Sequence, residues 1–153
     1  ILPKANRRMK MFKIRRMAKK DIDAVVSILN AHFPHVGMTG GRMLERAGTG
    51  SHFFVAKEGG EIAGFCELRI GRAALLRGIA VKAGARGKGI GTALVKRAAL
   101  EAKKFGMGRL WARVEITNLP AVRFYENLGF AIRDETVGSG GRKLYLMRRG
   151  LEN

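Results

Sequence analysis

The spacing of apolar residues along the chain alternates between a helical period and a strand period. Apolar residues between Ile22 and Leu29 recur at helical spacing and predict a helix over 20–33. A second helical stripe, from Leu94 to Phe105, predicts a helix that ends at Gly106. Short apolar runs bounded by glycine-rich turns predict strands elsewhere. These predicted strands cover residues 12–16, 52–56, 61–70, 73–81, 109–116, 130–137 and 143–147.

Two further segments complete the order of elements. Residues 34–51 show little periodicity, and we expect a loop there with a short helix over 43–46. Asn118 is a favourable N-cap for a helix through Leu128, which Gly129 ends. The order of strand, helix, strand meander, helix, strand, helix and hairpin predicts a single α/β domain on a mixed sheet. We divide the chain into a basic N-terminal extension and this domain, residues 1–11 and 12–149.

The charge of the chain is strongly unbalanced. Its 30 Lys and Arg residues against 12 Asp and Glu give a formal net charge of +18. Such an excess predicts attraction to polyanions, whether nucleic acid, phosphorylated cofactors or acidic surfaces. The charge by itself does not distinguish between these partners.

The reactive side chains exclude several classes of site. Cys66 is the one cysteine, so an internal disulfide and a clustered cysteine metal site are excluded. His32, His35 and His52 share no helical spacing, and we expect no metal centre. No run approaches the ~18 apolar residues of a membrane span. The basic segment 1–17 lacks the apolar region of a signal peptide, so we expect a cytoplasmic location.

A glycine-rich segment stands apart from the rest of the sequence. Residues 84–91 hold four of the 21 glycines and lie between a predicted strand and a predicted helix. The first backbone N–H groups of a helix lack internal partners and carry the positive end of its dipole. Arg86 and Lys88 add positive charge there. This arrangement predicts that the segment binds an anion such as a pyrophosphate.

Two familiar phosphate-binding loops do not fit this segment. A P-loop requires a glycine at position 82 and a hydroxyl at position 89, where the chain has Lys82 and Gly89. A dinucleotide fingerprint requires a third glycine at a longer spacing and an acidic residue about 20 positions further on. Residues 108–113 contain no acid. An NTPase and a dinucleotide-binding protein are therefore both disfavoured.

Two motifs resemble the GNAT superfamily of acyl-CoA-dependent N-acyltransferases. Segment 86–91 (RGKGIG) fits that family's Arg/Gln-x-x-Gly-x-Gly/Ala signature without a gap. Segment 118–130 (NLPAVRFYENLGF) is similar to the family's Asn-x-x-Ala-x-x-Phe-Tyr-x-x-x-Gly-Phe. The motifs lie about 30 residues apart in the family's order, and the resemblance covers 12–147. It implies a GNAT-like mixed sheet with a splayed strand pair.

The resemblance also implies the donor and its contacts. In this family the donor is acetyl-CoA, its pyrophosphate lies on the glycine-rich loop, and its arm pairs with backbone at the end of the preceding strand. No metal is required. Carried over to this chain, the cofactor-binding residues are Ile79, Ala80, Val81, Arg86, Gly87, Lys88, Gly89, Ile90, Gly91, Thr92 and Asn118.

The catalytic residues follow from the same resemblance. Tyr125 occupies the position of a tyrosine that protonates the leaving thiolate, and a phenol with a pKa near ~10 suits that role. Family members often place a basic glutamate on a central strand, but segment 73–81 carries no acid. Glu67 on the preceding strand is our candidate general base, with Glu115 as a second candidate.

The resulting hypothesis is direct acetyl transfer to a primary amine in a ternary complex. In this family the loop after the first helix and the last hairpin line the acceptor site, here 34–51 and 133–142. Neither is rich in acids, so a peptide or protein N-terminus or a small amino-acid-like amine is favoured over a polyamine or an aminoglycoside. The alternative is a non-catalytic module that binds coenzyme A, nucleic acid or the ribosome. Association into a homodimer stays open.

Overall fold

A computed structural model of the protein describes residues 11–151, which form seven strands and four α-helices. The strands β1 to β7 are Phe12–Arg16, Ser51–Glu58, Glu61–Ile70, Ala74–Val81, Arg109–Glu115, Ala131–Val137 and Lys143–Gly150. The helices α1 to α4 are Ile22–His32, Gly40–Ala47, Ile90–Lys104 and Leu119–Asn127. Every element predicted from the sequence is present. The predicted extension, residues 1–11, lies outside the described range except for Met11.

The strands form one mixed sheet in the order β1-β2-β3-β4-β5-β7-β6. All neighbours run antiparallel except β4 and β5, which are parallel and joined through α3. The predicted α/β class and mixed sheet are therefore confirmed. Helix α2 is longer than the expected 43–46, because Thr39 caps its start: the Thr39 hydroxyl accepts a hydrogen bond from the Arg42 N–H at 3.2 Å.

The parallel pair β4 and β5 separates after a short contact. Register pairing runs only from Ala74 opposite Leu110 to Leu76 opposite Ala112. Beyond these residues, β4 continues to Val81 and β5 to Glu115, but the two strands no longer pair with each other. Their separation opens a gap in the middle of the sheet. The splayed strand pair predicted from the sequence is confirmed.

Apolar residues on the two faces of the sheet form two separate cores. On one face α3 and α4 pack over residues such as Phe54, Cys66 and Leu76. On the other, α1 and α2 cover a cluster that includes Val55 and Phe65. Because β2 and β3 are buried on both faces, they read as nearly continuous apolar runs.

The second core leaves part of its face of the sheet uncovered. Its cluster under α1 and α2 draws on β2, β3 and β4 but includes no residue of β5, β6 or β7. The β5 residues on that side, Trp111 and Arg113, are half-buried and exposed respectively. We call this uncovered region beside α2, from β3 across β4 to β5, the open face. None of the helices within 11–151 has the length and apolar character needed to cross a bilayer.

Candidate active site

The glycine-rich loop leads directly from the open end of β4 into α3. A short 3-10 turn, Ala83–Ala85, follows β4, and α3 begins at Ile90. Within the described residues, the backbone N–H groups from Gly87 to Thr92 donate no hydrogen bond, and Ala93 is the first residue whose N–H reaches back along the helix, to Gly89. These N–H groups point out of the positive end of a 15-residue helix. They form a ready binding place for an anion.

Backbone conformation and helix packing require glycine at three positions of the loop. Gly87 and Gly89 have φ of +80° and +84°, values that side-chain-bearing residues rarely adopt. A Cβ at Gly91 would lie 3.3 Å from the Phe124 ring, so this glycine lets α4 pack closely against α3. The glycine spacing therefore builds the loop, and the open N–H groups give it affinity for an anion.

The two basic side chains of the loop are already engaged. The Lys88 ammonium lies 2.9 Å from a Glu58 carboxylate oxygen. The Arg86 Nε donates to the Val81 carbonyl at 3.2 Å, and its guanidinium contacts the His32 ring. An anion on this loop would therefore meet backbone donors first, with Arg86 and Lys88 held at its edge.

The unpaired half of β4 presents backbone groups to the gap. The Lys82 N–H donates to the Ala63 carbonyl of β3 at 2.8 Å, so by alternation Ala80 also turns its backbone groups toward β3. Ile79 and Val81 turn theirs toward the gap, where the Val81 carbonyl meets Arg86 and the Val81 N–H stays open. An extended ligand could therefore pair with β4 as a strand would.

Tyr125 lies in the core on the α3 and α4 side of the sheet. Its side chain is 6% exposed and packs edge-on against Phe124 and Phe130. Burial, with a smaller contribution from the nearby Cys66 thiol, raises the pKa of its phenol. Within residues 11–151 the structure shows no hydrogen bond from the hydroxyl. A buried, protonated phenol with an open hydroxyl can donate a proton.

Asn118 has the structural role expected of it. Its side-chain oxygen accepts a hydrogen bond from the Ala121 N–H at 3.2 Å and caps α4. The prediction of a helix cap is confirmed, whereas the predicted contact to a cofactor arm remains a prediction.

Glu67, the candidate base, is almost completely buried. Its side chain is 2% exposed, with one carboxylate oxygen 3.2 Å from Arg46 Nη1 and the other accepting from the Ser51 hydroxyl at 2.6 Å. Glu67 pairs with Gly78 on β4, just past the point where β4 leaves β5. It therefore lies next to the gap with both oxygens occupied.

The second candidate base, Glu115, is less enclosed. Its carboxylate lies 2.6 Å from Arg142 Nη1, and both side chains are 40% exposed. This ion pair ties the end of β5 to the turn before β7. Among the residues that the structure describes, no group of three or more His, Cys, Asp and Glu side chains could hold a metal ion.

The sequence of this chain matches a known protein family over most of its length. The sequence model of the acetyltransferase (GNAT) family matches residues 22–130, from the start of α1 to the end of the second motif. The chain belongs to the GNAT acetyltransferase family. The resemblance inferred from the two motifs is confirmed.

A curated GNAT relative with a named activity is similar over part of its length. A streptothricin acetyltransferase from Streptomyces lavendulae is 34% identical over an alignment of 97 residues, and the match covers 57% of this chain and 51% of the relative. The match therefore spans about half the length of that curated relative.

Solved GNAT structures match over nearly the whole chain. Ard1 from Thermoplasma volcanium superposes with a TM-score of 0.82 at 25% identity, covering 94% of this chain and 99% of that one. The PaiA N-acetyltransferase from Thermoplasma acidophilum, solved in complex with coenzyme A, superposes with a TM-score of 0.75 at 20% identity, covering 91% and 98%. These likenesses establish the GNAT fold.

Proposed function

We propose that the protein is an N-acetyltransferase that moves the acetyl group of acetyl-CoA directly to a primary amine. The observation that carries this proposal is the gap between β4 and β5, which opens directly into the loop with unpaired N–H groups. A strand edge and an anion site meet there, and a buried phenol lies in the core on the α3 and α4 side of the sheet. Membership of an acetyltransferase family supports the same activity.

The donor site is built from main-chain groups. The N–H groups from Gly87 to Thr92 bind the pyrophosphate, with Arg86 and Lys88 at its edge. The backbone of Ile79 and Val81 pairs with the extended arm, and Ala80 between them keeps that strand in register with β3. Asn118 contacts the same arm from the start of α4. Acetyl-CoA supplies the acetyl group as a thioester, and coenzyme A in the complex of the Thermoplasma acidophilum relative supports this choice of donor.

The chemistry requires one donor and one acceptor of protons. The open Val81 N–H stabilises negative charge as it develops on the thioester oxygen. The Tyr125 hydroxyl gives its proton to the leaving thiolate, and its raised pKa keeps it protonated until then. Glu67 is the route by which the attacking amine loses its proton. Because the Glu67 side chain is 2% exposed, it would receive that proton through a water molecule, on the lone pair of a carboxylate oxygen that Arg46 and Ser51 leave free.

The acceptor approaches from the side of α1 and α2. We infer that the loop after the first helix and the last hairpin, residues 34–51 and 133–142, line the acceptor site, as the family resemblance implies. A peptide or protein N-terminus or a small amino-acid-like amine is the acceptor that we propose.

The test is release of coenzyme A thiol from acetyl-CoA across a set of amines and peptides. With an active amine, Tyr125→Phe should lower kcat by about 10²- to 10⁴-fold, the usual contribution of a general acid, while the KM for acetyl-CoA stays unchanged. Tyr145→Phe is the matched control, since Tyr145 lies on β7 and has no role in the mechanism.

Equal rates for Tyr125→Phe and the native chain would remove Tyr125 from the mechanism. Binding of RNA or DNA with a steep salt dependence, together with no thiol release from any amine, would instead favour the non-catalytic alternative.

A further inference from the structure

Four arginines surround the single buried carboxylate of the open face. Glu67 on β3 pairs with Arg46 of α2 at 3.2 Å. Arg69, two residues further along β3, shares the face of Glu67 because strand side chains alternate. Arg77 and Arg113 come from β4 and β5. We call Arg46, Arg69, Arg77 and Arg113 the arginine cluster.

Arg77 and Arg113 lie directly past the last paired residues of the splayed strands. Leu76 and Ala112, the last pair, belong to the core under α3 and α4. The residue after each one therefore turns to the opposite, open face. A bulge in the β3–β4 pairing leaves Arg77 without a partner on β3. Arg77 and Arg113 thus extend from the two strands that border the gap, one on each side.

The cluster carries more positive charge than its surroundings balance. Its four arginines and Glu67 sum to a net charge of +3. Within 11–151, Arg46 forms a salt bridge with Glu67, whereas Arg69, Arg77 and Arg113 form none. The nearest acid along β5, Glu115, is taken by Arg142.

The neighbouring positive charges affect the pKa of Arg77. Partial burial lowers the pKa of the Arg77 guanidinium, and Arg46 lowers it further. Glu67 acts in the opposite direction, and Arg69 and Arg113 add smaller effects that lower it. Like charges held together at the mouth of a cleft are destabilising unless a ligand of opposite charge binds there.

We propose that the acceptor carries a carboxylate close to its reacting amine, and that Arg77 and Arg113 bind this carboxylate. The inference rests on the proposed function and names the substrate class of the same site. Guanidinium groups bind carboxylates through two parallel hydrogen bonds, which fix orientation as well as position. A carboxylate held on both sides of the gap presents its amine to the gap, where the donor lies.

The carboxylate has two sources, which matched acceptors distinguish. Alanine and alaninamide differ in the α-carboxylate of a free amino acid. Peptides that begin Ala-Glu and Ala-Gln differ only in an acidic side chain beside the N-terminus. Thiol release is measured for each pair with the full chain and acetyl-CoA, and kcat/KM is corrected for the fraction of unprotonated amine. We expect the acidic member of at least one pair to be favoured by about 10- to 100-fold, the range for a hydrogen bond to a charged group.

The arginines are tested with charge-removing variants. Arg77→Gln and Arg113→Gln should each reduce this preference by about tenfold, mainly through the KM of the acidic acceptor. Arg72→Gln is the matched control, because Arg72 is exposed in the β3–β4 turn at the far end of these strands. The thermal unfolding and acetyl-CoA affinity of each variant verify that the fold and the donor site are intact.

The outcomes separate this inference from the proposal on which it rests. Equal kcat/KM values within both pairs, or a preference that survives both Arg77→Gln and Arg113→Gln, would overturn the carboxylate site and leave the acetyltransferase standing. Absence of thiol release from every amine would overturn the proposed function and this inference with it.

Discussion

The ion pair between Arg46 and Glu67 allows a quantitative prediction about the stability of the fold. Arg46→Met removes the guanidinium and retains most of the apolar stem. In this variant the Glu67 carboxylate, 2% exposed, keeps only the Ser51 hydroxyl as a partner. The change therefore leaves a buried negative charge without its counter-charge.

The expected loss follows from the geometry of the pair. Removing one partner of a buried ion pair destabilises a protein by about 3–5 kcal/mol. The Arg46 side chain is 22% exposed, so water can reach the position that it vacates. We therefore expect a loss at the lower end of this range, about 3 kcal/mol. The Ser51 hydrogen bond, 2.6 Å long, is preserved and limits the loss further.

The assay is urea unfolding of the full chain at neutral pH, followed for both single variants and their combination. Adding Glu67→Gln to Arg46→Met should recover stability, because the buried group is then neutral. Lys82→Met is the matched control: it breaks the Lys82–Glu61 pair, whose side chains are 51% and 77% exposed, and should cost at most about 1 kcal/mol.

Two results would refute this reasoning. The first is a loss for Arg46→Met no larger than that for Lys82→Met. The second is a double variant less stable than Arg46→Met alone, since the buried charge would then not be the source of the loss.

Two further predictions concern the packing and the pH dependence of the fold. Gly64→Ala should destabilise the chain by about 1–3 kcal/mol in urea unfolding, because its Cβ would lie 2.8 Å from the Ala80 carbonyl oxygen. Gly71→Ala is the control: the position has open space around it, so stability should change by less than about 0.5 kcal/mol. Equal effects of the two substitutions would contradict this prediction. The hydrogen bond from Arg15 lowers the pKa of the buried Asp21 carboxyl, so its stabilisation is complete above the unfolded pKa of about 3.9 and is lost as pH falls through the lower folded pKa. The difference in unfolding free energy between the native chain and Asp21→Asn should therefore shrink in acid, and a constant difference would refute the assignment.

The fold could be predicted almost entirely from the sequence, because its signals are local. Apolar periods and glycine turns mark each element, and the earlier start of α2 depends on the Thr39 cap. The donor loop was predictable for the same reason. Its strand end, glycines and helix start are contiguous in the chain, and main-chain groups need no particular side chains.

The surroundings of Glu67 could not be predicted, because they come from three separate elements. Arg46 lies on α2, Ser51 begins β2 and Glu67 lies on β3. Strict alternation along β4 is also misleading, because the bulge changes its phase: Leu76 and Ile79, three residues apart, face the same core. The one available signal was Arg77 itself, a charged residue in an otherwise apolar strand.

The two halves of the site are therefore encoded in different ways: the donor half by backbone geometry and the acceptor half by side chains. The donor half consists of backbone N–H groups at the loop and at Val81, whose geometry any sequence with the right glycines reproduces. Such geometry identifies a family and a donor. The acceptor half consists of side chains, and its +3 charge is concentrated at the mouth of the gap. Since that charge would repel a cationic amine and attract one that carries a carboxylate, the arginine cluster, rather than the total charge of +18, is the feature that bears on substrate choice.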